Sequence, residues 1–188
     1  MTRYSHVLAV CLFLIPVLGH ADEITDALQS AQSAYADGDI QYAIEELDFA
    51  RQRLLALKTD ALSAYLPPAP DGWQRQLNSE MNAGLAMMGG GVGAEATYVS
   101  ATGSAQYTLR LMADNPMIAS IAGMVANAAV MGLPIERIGR QKFIVQGAEV
   151  TGIVANRILI QANGADATTL LGALEQIDFR TLGKFGAP

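Results

Sequence analysis

The sequence predicts an α+β protein: an N-terminal αα-hairpin, then an antiparallel sheet with helices packed on one face. Three observations carry that reading. Residues 22–64 repeat apolar residues at helical spacing on either side of Asp37-Gly38-Asp39. Residues 67–72, Pro-Pro-Ala-Pro-Asp-Gly, interrupt the pattern. Beyond them, short alternating stretches bounded by turn residues are joined by two apolar helical stretches.

The first 21 residues differ in kind from the rest. Arg3 gives a positive start, Val7 to Leu18 is almost unbroken apolar sequence, and Gly19-His20-Ala21 puts small residues where a signal peptidase cuts. The apolar run, about a dozen residues, is short of the roughly 20 that span a bilayer. Val10 before Cys11 is too large for a lipoprotein box. The expectation is export to the periplasm with cleavage after Ala21, and no stable membrane insertion afterwards.

Cleavage there sets the chemistry. His6, His20 and Cys11 are the only histidines and cysteine, and all three leave with the leader. The remaining chain offers no imidazole base, thiolate nucleophile, disulfide or His- or Cys-ligated metal site, and no cofactor is expected. It is acidic, with 18 Asp and Glu against 12 Lys and Arg in the full chain. That balance supplies no basic stripe for nucleic acid and no attraction to anionic lipid.

The first helix is expected from about Glu23 to Ala36, with Ile24, Ala27, Leu28, Ala31 and Tyr35 on one side. Asp39 suits the N-cap of a second helix from Ile40, which carries Ala43, Ile44, Leu47, Ala50, Leu54, Leu57, Ala61 and Leu62 opposite a charged side. Ala31, Gly38, Asp39, Ala43, Leu47 and Ala50 stand at the spacings of small and apolar packing residues in a tetratricopeptide repeat, which this hairpin resembles over about 34 residues. Ala27 and Leu55 depart from that pattern. A single repeat cannot bury its own face, so the hairpin must dock on the following domain, form a homodimer or receive a partner.

Residues 67–72 are expected as a linker, giving a leader (1–21), a hairpin (22–66) and an α+β domain (73–188). In the last, residues 94–100 and 106–113 alternate as a strand hairpin. Asn115 as N-cap and Pro116 at the first helical position announce a helix ending near Gly132. Residues 142–146, 149–155 and 157–162 follow as strands, and a last helix presents Leu170, Leu171, Leu174 and Ile177. This order, opened by Gly72-Trp73, loosely resembles small α+β domains of the PsbP/Mog1 kind, a likeness of topology that implies no activity. The chain as a whole resembles uncharacterised exported proteins of Gram-negative bacteria.

Few residues carry candidate chemistry. Gly84 to Gly93, with Gly89-Gly90-Gly91 at its centre, could form an anion nest, but no Walker Lys-Ser/Thr pair accompanies it. The bland reading is a mobile loop. Met81, Met87 and Met88 are a possible soft-ligand set for copper(I) with no histidine or cysteine behind it. Met117, Met124 and Met131 recur every seven residues, as a core stripe would. Glu80 and Glu95 flank the glycines as a conceivable acid–base pair. Tyr35, Tyr42, Tyr65 and Trp73 could build an aromatic binding face or simply dock the hairpin. The function expected is a non-catalytic accessory or binding factor whose partner is another periplasmic or envelope protein. The alternatives are a carrier of a small apolar ligand between the sheet and the Pro116–Met131 helix, and a carboxylate-dependent hydrolase or lyase.

Overall fold

The structure is a computed structural model that describes residues 20–78 and 81–186. Residues 1–19 of the expected leader, together with Ser79, Glu80 and residues 187–188, lie outside the described residues. The chain divides into two compact units between Leu54 and Leu55.

In the first unit, α1 (His20–Ala36) meets the opening of α2 (Ile40–Ser63). Gly38 makes the reversal at a φ of 82°, a left-handed conformation that glycine adopts without strain. Asp39 accepts from the Tyr42 N–H at 3.1 Å and so caps α2. The helices meet through small side chains: Ala31, Ala34 and Ala43 are buried, and Ile24, Ala27 and Ala50 form one cluster. Arg53 pairs with Glu23 at 2.9 Å across the hairpin, an exposed contact that contributes little.

The division falls within α2, ahead of the expected linker. Leu62 and Leu66, at the end of that helix and just past it, are buried in the same core as the sheet. Pro67 is buried as well, and its carbonyl accepts from the Tyr98 hydroxyl at 2.7 Å. Arg75 donates to the Leu66 and Pro67 carbonyls. The proline segment is thus part of the second unit's packing and not a free connector.

The second unit is a seven-stranded antiparallel sheet. Its strands are β1 (Trp73–Asn78), β2 (Val92–Ser100), β3 (Gln106–Ala113), β4 (Ile135–Ile138), β5 (Gln141–Gln146), β6 (Glu149–Val154) and β7 (Ile158–Asn163). They lie in the order β1-β2-β3-β7-β6-β5-β4. The strands expected at 94–100, 106–113, 142–146, 149–155 and 157–162 are all present within two residues at each end; β1 and β4 are additional. Side chains alternate between faces along a strand, which separates two cores. Ala94, Ala96, Tyr98, Leu109, Leu111, Phe143, Val150 and Ile160 share one core with Leu170 and Leu174 of α5 (Ala167–Leu174) and Leu182 of α6 (Phe179–Leu182). Each fully buried leucine there contributes about 1.5–3 kcal/mol.

The opposite face carries the other helices. Ile144, the neighbour of Phe143, packs with Val125 and Ala128, and Ile121, Leu133, Ile135 and Ile153 close around them. These belong to or adjoin α4 (Met117–Asn127). Gly93, the neighbour of Ala94, receives Met81 and Leu85 of α3 (Met81–Met87). The helices are therefore divided between the two faces rather than gathered on one. The methionine stripe is corrected too: Met117, Met124 and Met131 are exposed, and α4 buries Ile118 and Val125 instead. A helix apolar on every side gives its seven-residue spacings no power to say which side is inward.

Candidate functional site

The hairpin leaves much of its apolar side uncovered. With alanines at the α1–α2 contact, the larger side chains splay outward: Leu28, Tyr35, Ile40, Ile44 and Leu47 line an open groove of about 360 Å³, with Ala31 and Ala43 at its base. Tyr35 is 71% exposed and Leu47 51%. Contiguous apolar surface of this kind is more than scattered surface side chains leave. Tyr42 is also exposed but is absent from the groove's lining; its hydroxyl accepts from Ser30 at 3.4 Å.

A second apolar hollow, about 370 Å³, lies in the sheet unit between Pro67 to Pro70, Trp73 and Tyr107 on one side and Thr169, Gly172 and Gln176 on the other. Two rings, Trp73 and Tyr107, line it, and a third, Tyr98, is buried behind them. Trp73 lies 5.2 Å from Tyr107, tilted at 53°, and Tyr107 stacks on Tyr98 at 4.7 Å and 11°. Burial pushes the Tyr98 phenol up to about 12, against a smaller opposing effect of the Arg75 charge. A wider hollow of about 720 Å³ near Arg140, Glu175, Asp178 and Arg180 mixes both charges. Its Asp178 is already committed to capping α6 through the Arg180 and Thr181 N–H groups.

The four aromatics of the expected binding face have separate fates. Tyr35 lines the hairpin groove and Trp73 the proline hollow. Tyr65 packs edge-on to Phe185 at 6.1 Å as half-buried core.

The glycine segment is neither a nest nor a free loop. Gly84 lies inside α3, and Val92 and Gly93 open β2. Between them Gly89, Gly90 and Gly91 all take positive φ, at 91°, 90° and 100°. The Gly90 amide donates to the Leu85 carbonyl at 2.8 Å, closing the end of α3. Asn115 then pins the turn. Its Nδ2 donates to the Gly90 carbonyl at 2.6 Å and the Met88 carbonyl at 3.3 Å, while its Oδ1 accepts from the Met117 N–H at 2.9 Å. Pro116 has helical dihedrals (φ −56°, ψ −30°), so Asn115 is the residue that caps α4.

Glu95 is only 7% exposed and fully engaged. It faces Arg110 across the β2–β3 ladder, accepts from its Nε, and accepts from Asn78 Nδ2 at 3.0 Å. Its conceivable partner Glu80 lies outside the described residues. Of the methionine set, Met81 packs against Gly93 while Met87 and Met88 face solvent. Among the described residues no group of three or more acidic, histidine or cysteine side chains could hold a metal ion, and no helix is long and apolar enough to cross a membrane.

Sequence reasoning missed one polar hub. Asp114, with φ at +58°, binds Lys58 Nζ at 2.8 Å and Arg157 at 2.8 Å and 3.1 Å; Arg157 also donates to the Phe185 carbonyl. Burial raises the Asp114 pKa, but hydrogen bonds from Lys58 and Arg157 outweigh it and hold the carboxyl below its usual value. In the sequence only the helix start at Asn115-Pro116 marks this neighbourhood. The chain matches no family model, no curated protein and no solved structure.

Proposed function

We propose that this chain is a non-catalytic binding factor of the periplasm, and that the groove between α1 and α2 is where it holds another envelope protein. The observation that carries the reading is the contiguous exposed face of Leu28, Tyr35, Ile40, Ile44 and Leu47. Exposing several large aliphatic side chains together costs solubility, a cost that a partner's apolar residues would offset. The groove is open along its length and floored by alanine, which suits the apolar stripe of a partner helix laid between two helices.

Capture from an envelope extract tests this. Wild-type protein should recover one protein that the Leu47→Asp variant, with unchanged helix content, does not. Equal recovery by both, or none by either, counts against the proposal.

The second reading, carriage of a small apolar ligand, draws support from the Trp73–proline hollow. The space under α4 is filled by Val125, Ala128 and Ile144. Trp73 is the only tryptophan, so an apolar ligand in that hollow should shift its emission. No shift on titration with apolar extracts of the host envelope removes this reading.

A further inference from the structure

The two edges of the sheet differ in how they are protected. β4 has four residues, follows Pro134 and carries Glu136 and Arg137. Proline, charge and shortness are the usual guards of an exposed edge. β1 has none of the first and little of the second: its six residues, Trp73-Gln74-Arg75-Gln76-Leu77-Asn78, are exposed from Gln74 onward, and Leu77 is 56% exposed.

The hydrogen bonds around β1 fix which backbone groups remain unused. Ser100 donates to the Ala105 carbonyl at 2.9 Å, in register with the β2–β3 ladder, and Ala101 donates to the Gly72 carbonyl at 2.7 Å, in register with β1–β2. In an antiparallel ladder a residue turns its N–H and C=O to the same neighbour, and successive residues alternate. The even residues of β2 therefore serve β3 and the odd ones serve β1. Their partners Gln74, Gln76 and Asn78 bond inward, which leaves Arg75 and Leu77 with N–H and C=O turned away from the sheet.

We propose that this edge is an interface between two copies of the chain, paired antiparallel about a twofold axis at Gln76. In that register Arg75 faces Leu77 of the partner subunit and the reverse, so four backbone hydrogen bonds form from the groups left unused. Gln76 faces its own copy, and Gln74 faces Asn78 of the partner subunit, so amides oppose amides and no like charges meet. Moving the axis to Arg75 sets two guanidinium-bearing residues opposite each other, and calls on the Trp73 N–H, which already donates to the Pro70 carbonyl. Moving it to Leu77 leaves two bonds among the described residues. The favoured pairing is isologous, as a closed dimer requires, and it is independent of the hairpin groove.

The test uses the full chain and two variants. Light scattering at about 100 μM should give twice the chain mass for the wild type. Leu77→Pro removes an outward N–H without touching the β1–β2 ladder; it should weaken self-association about 100-fold while circular dichroism and Trp73 emission stay unchanged. Gln76→Cys, in a Cys11→Ser background, places thiols at a non-hydrogen-bonded pair whose Cα atoms lie about 4.5 Å apart, within disulfide range. It should oxidise to a covalent dimer, and Thr102→Cys in the same background should not. A monomeric wild type, a dimeric but folded Leu77→Pro, or equal cross-linking at both positions overturns the proposal. A monomer whose edge is filled by another protein's strand overturns it equally.

Discussion

Replacing Asn115 with alanine removes the side-chain hydrogen bonds that tie the glycine turn to α4. Asn115 is 5% exposed, and its bonds to the glycine turn are partly shielded from water. Losing the cap on the Met117 N–H costs about 1 kcal/mol. The Gly90 carbonyl loses a 2.6 Å donor, and a partly shielded acceptor left without its donor costs about 1–3 kcal/mol. The 3.3 Å contact to Met88 adds little. The total is about 2–4 kcal/mol. Asn115→Asp sharpens the reasoning: it keeps the oxygen that caps Met117 but aims a second oxygen at the Gly90 carbonyl, so it should cost at least as much at neutral pH. Guanidinium unfolding followed by Trp73 emission reads both, since that tryptophan sits in β1 of the same unit. With a slope of roughly 4 kcal/mol/M, the midpoint should fall by about 0.5–1 M. A loss below about 0.5 kcal/mol for both variants would refute the claim that Asn115 pins the turn.

Other perturbations address other joints. Asp114 has a lowered folded pKa, so its contribution is present above the unfolded value near 3.8 and fades as pH falls below it; Asp114→Asn should cost on the order of 1 kcal/mol at pH 7 and progressively less in thermal melts as pH falls below 3.8. Gly91→Ala should cost about 2 kcal/mol or more, because its φ is 100° and a Cβ would lie 2.7 Å from the Ala113 carbonyl. Gly84→Ala, in open space on α3, should instead stabilise by up to about 1 kcal/mol in the same melts. Tyr98→Phe should cost about 1–2 kcal/mol through the lost bond to Pro67. Because the folded phenol titrates at about 12 against 10.0 unfolded, the wild type should also lose stability between those pH values, a slope the Phe variant lacks.

What was legible in the sequence follows from how local each signal is. The hairpin could be read because Gly38 and Asp39 mark the turn and alanines recur where α1 and α2 touch. The strands of the sheet's middle alternate cleanly, so their positions came through. β1 did not, because an edge strand with Gln74, Gln76 and Asn78 lacks the apolar period of a buried one, and β4 is only four residues. The prolines read as a connector because proline breaks helices; that Tyr98 reaches back to Pro67 is a contact across 31 positions. Asn115 was visible as a cap for α4 but not as the anchor for glycines about 25 positions earlier. The groove residues were partly visible: Tyr35 stood out as an aromatic, whereas Ile44 and Leu47 read as ordinary packing residues, although alanines and Ile24 fill the helix contact.

The binding role of the hairpin is tested most directly by site-resolved photocross-linking in the envelope. A photoreactive residue at Ile44, inside the groove, should form one adduct of defined mass, and the same residue at the exposed Arg51 should not. Leu47→Asp should abolish the Ile44 adduct. An absent adduct at Ile44, or equal adducts at Ile44 and Arg51, would contradict the account.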